Sequence, residues 1–433
     1  MAGALEVHTA GLDDALFAGM SFTNRNTASY VTNRRSTSFQ PVSGGVFSPS
    51  NLRIIRFSLQ DVDGQWLDGS TLRLAFVISN IGTQALLPIS HTPGAMFARL
   101  RVLAGGVEVA DIASYGRTFQ MFGNFLSAER RREDMIEGWG GELPVTDAQT
   151  QHMALSDWSK PSAILAGKKK RVLTQLLCPF FNNGKMLPLS LLGGLTLELE
   201  IGSINDAFDP GTGTNNWEIL QPEILCDCIG LDPSLSSSFA SHLLAGKTLP
   251  ISYSNIFTMQ TSLSTTTAVS IPISRGFSRL NQVYVTFTAA KTTAPNDPSH
   301  HVVDFYGPLG TQAQSTDTDK FQASYQLGSV KGPVYNIRSI GECFYHLRKT
   351  LIMADGNEAM GITALEYAYD KFVLAFSFEK AMGTGAVHSG ANTLAGQLLY
   401  LQLENCGNAT SAYITCSYDC VLSLTSGGNE LAF

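Results

Sequence analysis

At 433 residues, with 44% hydrophobic and only 15% charged side chains against a usual charged share of about 25%, the chain has length for two domains and leaves much surface neutral or covered by neighbours. A net charge of −7 argues against wholesale packing of nucleic acid, which needs Lys and Arg to displace counterions. No apolar run approaches the roughly 20 residues that cross a bilayer, and MAGALEVHTAGLDDAL at the start lacks the basic-then-apolar order of a signal peptide, so a soluble, cytosolically made protein is expected.

Residues 1–50 are rich in Gly, Ser, Thr and Asn without a sustained period, and read as an arm that becomes ordered against partners. Strands are expected from Asn51. The alternation of Leu52, Ile54, Ile55, Phe57 and Leu59 slips at Ile54–Ile55, which a β-bulge would explain. In Thr71–Ser79, Leu72, Leu74, Phe76 and Ile78 point inward and Arg73 outward. Met96–Leu103 and Val107–Ile112 flank Gly105-Gly106, a hairpin signal.

Phe119, Phe122 and Leu126 then space as one helical face, running on into Arg130-Arg131-Arg132. Strands resume at Arg171–Leu177 and Leu195–Ile201. Trp217–Ile229 closes the first run, with Pro222 suiting an edge or a bend. Asp232-Pro233 is a cap followed by proline at the first helical position, and opens a short connector helix that ends near Gly246.

A second run, from about Thr267 to Leu424, repeats the plan. Pro272 marks Ser270–Ser274 as an edge or strand end. Val283, Val285 and Phe287 alternate, as do Phe372, Leu374, Phe376 and Phe378, then Leu399, Leu401 and Leu403, and a long final strand carries Ile414 through Leu424. Ser339 and Glu342 form a capping-box pattern before Phe344, Leu347 and Leu351. The helix starts at a similar offset in both runs: Asn51 to Phe119, and Thr267 to Ser339. Short strands, turn signals and few helices predict two antiparallel sandwiches. About eight strands per unit fits a jelly roll, although the count alone leaves an immunoglobulin-like sandwich open. The expected division is an arm at 1–50, a first roll at 51–231, a connector at 232–250 and a second roll at 251–433. The polar insertions Gly138–Gly167 and Ala290–Asp319 are the candidates for surface towers.

No catalytic signature emerges: there is no nucleophile elbow, phosphate loop or His-Glu-x-x-His. No catalytic, cofactor-binding or metal residue is therefore assigned, and no cofactor is expected. His300, His301 and Asp304 are the best metal-like cluster, but they follow Asp297-Pro298-Ser299 in a polar loop. Glu198 and Glu200 share the polar face of one strand, whereas a glycosidase needs carboxylates facing across a cleft. Lys168-Lys169-Lys170-Arg171 reads as a strand-end charge cluster, with a nuclear-import signal as the alternative. Asn408-Ala409-Thr410 is the one glycosylation sequon, unused if the chain is not secreted. The seven cysteines lack zinc-like spacing and read as reduced core residues. A carbohydrate- or receptor-binding module is the chief rival. It would need an exposed aromatic platform, and Trp66, Trp139, Trp158 and Trp217 sit near loops. A two-barrel enzyme, such as a copper oxygenase or glycan amidase, is the other.

Three stretches carry a family resemblance: Pro179–Ile201 (PFFNNGKMLPLSLLGGLTLELEI), Ile224–Leu235 (ILCDCIGLDPSL) and Phe372–Glu379 (FVLAFSFE). They resemble the double jelly-roll major capsid proteins of polinton-like viruses and virophages, and more distantly those of giant viruses, adenovirus and membrane-containing phages. The resemblance covers nearly the whole chain from about residue 50. It implies an all-β fold of two tandem antiparallel eight-stranded jelly rolls, with a few short helices in loops and a helical connector. It also implies a homotrimer whose six barrels form a pseudo-hexagonal capsomer. Capsomers would tile an icosahedral shell around double-stranded DNA, beside penton and minor capsid proteins and often over an internal viral membrane beneath the N-terminal arm. No specific nucleic-acid binding is implied. The virion would be its location, after synthesis in the host cytoplasm and with nuclear assembly one option.

Overall fold

The computed structural model describes residues 31–60, 64–140, 161–209, 215–263, 268–289, 302–308, 321–355, 361–380, 389–394 and 396–432. The first unit contains β1 (Val31–Phe39), β2 (Ile54–Leu59), β3 (Trp66–Asn80), β4 (Leu87–Pro88), β5 (Phe97–Ala104), β6 (Val107–Ile112), β7 (Lys169–Gln175), β8 (Met186–Pro188), β9 (Leu195–Ile201), β10 (Phe208–Asp209) and β11 (Trp217–Leu231). Helices α1 (Tyr115–Phe125) and α2 (Ala128–Glu137) lie between β6 and β7. Helix α3 (Pro233–Leu244) leads to the second unit. Its strands are β12 (Leu249–Ser262), β13 (Ala268–Pro272), β14 (Leu280–Ala289), β15 (Gln322–Leu327), β16 (Val330–Ile337), β17 (Leu374–Ser377), β18 (Leu399–Glu404), β19 (Ala409–Thr425) and β20 (Gly428–Ala432). Between β16 and β17 come α4 (Ile340–Asp355) and α5 (Ala364–Tyr369).

Each unit is a sandwich of two sheets. The first pairs β1-β11-β3-β7 in one sheet and β2-β9-β5-β6 in the other; the second pairs β12-β19-β14-β17 and β13-β18-β15-β16. Counted through the eight principal strands of each unit, both read 1-8-3-6 over 2-7-4-5. That order is the double Greek key of a jelly roll, and it decides against the immunoglobulin alternative. The chain is a double jelly roll.

Alternation explains the cores. Leu195, Leu197, Leu199 and Ile201 of β9 are fully buried, while Glu198 and Glu200 face outward. Each such side chain contributes about 1.5–3 kcal/mol through burial. The Gly105-Gly106 hairpin joins β5 to β6 with both glycines at positive φ, +57° and +85°, which a side chain would resist.

Four expectations are corrected. Val31–Phe39, inside the segment set aside as an arm, is a strand, because the edge of β11 opposite β3 offers it a ladder from Leu231 to Ile224; residues 1–30 lie outside the described residues. The slip at Ile54–Ile55 is not a bulge: β2 starts at Ile54, which points outward, and its ladder with β9 is unbroken. The first helix breaks at Leu126–Ser127, where the Ser127 hydroxyl accepts from Arg130 N and caps α2 as a separate helix. Of the two readings offered for Pro222, the edge fails because β11 is a central strand, and the bend holds: Pro222 sits at an irregularity between Leu220 and Glu223 where Gln221 takes φ +46°, so its missing N–H falls where the ladder is already interrupted. By contrast Pro272 ends the edge strand β13 as expected.

Candidate assembly site: the seam between the units

The two units meet along a polar and aromatic seam built by the start of α1. Ser114-Tyr-Gly-Arg-Thr-Phe119 there has a counterpart in Ser339-Ile-Gly-Glu-Cys-Phe344 at the start of α4. Gly116 is required by close approach, since a Cβ would overlap the Ala95 carbonyl oxygen, whereas one at Gly341 would meet only the Ser339 hydroxyl, at 4.0 Å. That closeness lets α1 carry Arg117 into the second unit.

Arg117 is the centre of the seam. Its Nε donates to Thr286 Oγ1 at 2.9 Å, Nη1 to the Asp304 carbonyl at 2.7 Å and Nη2 to the Phe287 carbonyl at 3.0 Å. Phe305 and Tyr413 lie on its guanidinium, each 4.5 Å from ring centroid to Cζ. Burial lowers its pKa from 12.5 to about 10, partly offset by Tyr413 and Asp304, so it remains a cation at neutral pH. A buried cation held in this way fixes one relative orientation of the units, because its donors form a rigid fork.

Along the rest of the seam, Tyr253 Oη and Asn255 Nδ2 of β12 both donate to the Val109 carbonyl of β6, at 2.7 and 2.9 Å. Thr258 Oγ1 accepts from the Ala113 and Ser114 amides. Phe122 and Phe125 pack on Tyr284, and Phe180 packs on Tyr253. As a result Gln282, Tyr284, Thr286 and Thr288, on the outer face of β14, are all buried. A sheet face that would otherwise be wet is covered by the first unit.

The residues singled out in the sequence take other roles. His300 and His301 lie outside the described residues. Asp304 accepts from Ala289 N at 3.1 Å and so orders a loop; no group of three metal-ligating side chains occurs among the described residues. Glu198 pairs with Arg56 and Arg101, and Glu200 with Arg53, so these carboxylates neutralise an exposed sheet rather than face a cleft. In the basic tract, Lys170 reaches the Trp139 carbonyl and Arg171 pairs with Glu223, while Lys168 and Lys169 are exposed. Arg171 is exposed as well, so the strand-end reading fits three of the four, with Lys170 the half-buried exception.

Trp139 and Trp217 are fully buried and edge-on to Phe208, and Trp66 stacks against Phe239 of α3; Trp158 lies outside the described residues. No tryptophan among those described forms an exposed platform. All seven cysteines are free thiols and six are buried. Burial pushes Cys178 and Cys420 up to about 12, which keeps them protonated and inert. Both proposed tower insertions fall largely outside the described residues.

Beside α1 lies a cavity of about 240 Å³ with an apolar wall of Phe119, Phe122, Leu126, Leu173 and Leu177 and a polar one that includes His91, Gln120, Arg131, Asp134 and Glu137. The His91 Nδ1 has no hydrogen-bond partner among the described residues, and burial, then the Arg131 and Lys371 charges, lower its pKa.

Sequence reading missed the seam residues. Arg117, Val109, Tyr253, Asn255 and Thr258 look like ordinary strand and helix positions. The available signal was the Ser-x-Gly-x-x-Phe recurrence, which marks both helix starts.

No family model matches this chain, and neither does any curated protein. Solved structures do. The PBCV-1 virus capsid matches with a TM-score of 0.62 at 15% identity, over 95% of this chain and 100% of that one. The Faustovirus major capsid protein matches with a TM-score of 0.57 at 9% identity, over 94% and 92% of the two chains. The mavirus major capsid protein matches with a TM-score of 0.51 at 11% identity, over 97% and 94%. At such identities the likeness is one of fold, and its coverage takes in both units. The architecture of this chain is therefore that of the double jelly-roll major capsid proteins, as the sequence resemblance implied.

Proposed function

We propose that this chain is the major capsid protein of an icosahedral double-stranded DNA virus, acting through assembly rather than catalysis. Three copies would close into a capsomer with a pseudo-hexagonal outline, and capsomers would tile the shell beside penton and minor capsid proteins. The observation that carries this reading is the strand-for-strand repetition of one sandwich, fused head to tail through a buried seam. A unit that binds a copy of itself within one chain already carries an assembly contact. The sparse charge, 15% of residues, suits a protein whose flanks are covered by neighbours.

The division of the chain belongs to the same proposal: a first roll that begins at Val31, a connector at 232–250 and a second roll at 251–433. Residues ahead of Val31 would form the arm at the capsomer base, facing neighbours or an internal membrane. Its location would be the virion, after synthesis in the host cell. A sugar-binding role lacks support, since the described tryptophans are buried or stacked on the protein itself.

The test is negative-stain imaging of the purified full-length chain. Uniform particles of hexagonal outline support the reading. Small single particles without threefold symmetry would count against it.

A further inference from the structure

We propose that the cavity between α1, α2 and β7 binds a medium-chain carboxylic acid, with the carboxylate on Arg131 and the hydrocarbon tail along the apolar wall. The site is built within a single copy of the chain, whatever that chain assembles into.

Local pattern builds the apolar wall. The alternation of β7 turns Val172 and Thr174 inward and leaves Leu173 half-buried on the outer face of the sheet. Phe119 and Phe122 of α1, with Leu126 just beyond its end, face Leu173 and Leu177 across the cavity. The helix break at Leu126–Ser127 then sets the polar wall. Because the chain turns there, α2 brings Arg131, Asp134 and Glu137, spaced three residues apart, to the same space.

These three charges are not equivalent. Asp134 pairs with Arg130 and Glu137 with Arg73, each at 3.3 Å. Arg131 donates Nη2 to the Gly361 carbonyl, a neutral acceptor, and forms no ion pair with a carboxylate among the described residues. Glu366 and Glu129 favour its charge from longer range. Glu366 is itself held by Lys371 and by the Thr363 amide and hydroxyl.

His91 lines the same cavity, and its buried Nδ1 has no hydrogen-bond partner among the described residues. A buried polar atom left in that state is costly. In the tautomer that places the proton there, Nδ1 donates to an acceptor inside the cavity. A half-buried guanidinium and a free imidazole nitrogen, opposite a wall of leucine and phenylalanine, complement an anion that carries a hydrocarbon tail. An amine would be repelled by Arg131, and an alcohol would leave the cation without a counter-charge.

Size sets the length of the tail. A cavity of about 150 Å³ holds the six carbons of benzene. In proportion, the 240 Å³ here takes about ten non-hydrogen atoms, the size of octanoate. The bound acid would brace α1 and α2 against β7, and would stabilise the native chain by mass action.

The test is isothermal titration calorimetry of the purified full-length chain with octanoate, octan-1-ol and octylamine, each below its micelle-forming concentration. One octanoate per chain is expected, bound at least tenfold more tightly than the alcohol or the amine. Affinity should rise about fourfold per methylene from butanoate to octanoate. Arg131→Gln should lower octanoate to the affinity of the alcohol while leaving the alcohol's own binding unchanged. Leu173→Trp, which fills the cavity, should abolish both. Thermal melts without ligand show whether each variant folds, and the selectivity of the parent chain needs neither of them. No heat from octanoate at millimolar concentration, equal binding of the three compounds, or tighter binding of the amine would overturn the proposal. Full binding retained by both folded variants would place the acid elsewhere and overturn it as well.

Discussion

Replacing Arg117 by Met keeps the aliphatic stem of the side chain and removes the guanidinium that joins the units. The variant loses the donors to Thr286 Oγ1 and to the carbonyls of Phe287 and Asp304. Hydrogen bonds to a charged group contribute about 1.5–3 kcal/mol each, so the gross loss is roughly 5–9 kcal/mol. Set against it is the cost of burying the cation. The fall in pKa from 12.5 to about 10 corresponds to about 3 kcal/mol by which burial already disfavours the charged form. Met also gains packing on Phe305 and Tyr413, and buried charges replaced by apolar groups are sometimes neutral. The net destabilisation expected is about 2–5 kcal/mol, because the Thr286 hydroxyl and the Asp304 carbonyl each lose a charged donor, while the Phe287 carbonyl keeps the Tyr306 amide. Arg117→Lys, which restores charge but not the fork, should fall between Met and the parent chain. Differential scanning calorimetry reads this as a lower, and broader or split, transition as the units uncouple. A Met variant within about 0.5 kcal/mol of the parent, melting in the same single transition, would refute the claim that Arg117 holds the seam.

Other outcomes follow from the same geometry. Gly116→Ala should destabilise by about 1–3 kcal/mol, because its Cβ would press on the Ala95 carbonyl. The equivalent Gly341→Ala should be neutral or stabilising by up to about 1 kcal/mol; equal effects in chemical denaturation would contradict the asymmetry. Leu197→Ala, in the middle of β9 and fully buried, should cost about 2–5 kcal/mol by urea titration. Stability should also fall with acid. Burial lowers the pKa of His91 and of His346, the latter helped by Lys349. Below the ordinary histidine value of about 6.5 the unfolded chain takes up protons that the native one refuses. The loss therefore begins as pH drops through that value and continues to the lower native pKa values. A His91→Gln, His346→Gln variant should show a flatter melting profile from pH 7 to 5, and an unchanged slope would reject these two groups as its source.

Much of the fold was legible because period-two burial is written directly into the strands. Leu195 to Ile201 and Ile414 to Leu424 announce their faces without tertiary information. The connector was legible from Asp232 and Pro233 for the same local reason, since the Asp232 carboxylate does cap Ser234. What failed was non-local. β1 carries Arg, Ser, Thr and Asn at most positions, and becomes a strand only because β11 supplies a ladder. Pro222 suited either an edge or a bend, and only the register shows that it is a bend inside a central strand. The seam was illegible for a related reason. Thr286, Thr288 and Gln282 have the polarity of a solvated face, and they are buried because another unit lies over them. Polar residues on the outer face of a strand do not reveal whether water or a neighbour meets them. The recurrence of Ser-x-Gly-x-x-Phe was present in the sequence, but it gains meaning only once both copies sit at the same joint of the fold.

The central claim is that three copies of this chain close into one capsomer. The mass of the purified full-length chain by native mass spectrometry, at micromolar concentration and near-physiological salt, tests it most directly. A dominant species of three chains is predicted. A chain that stays monomeric across the accessible concentration range would contradict it.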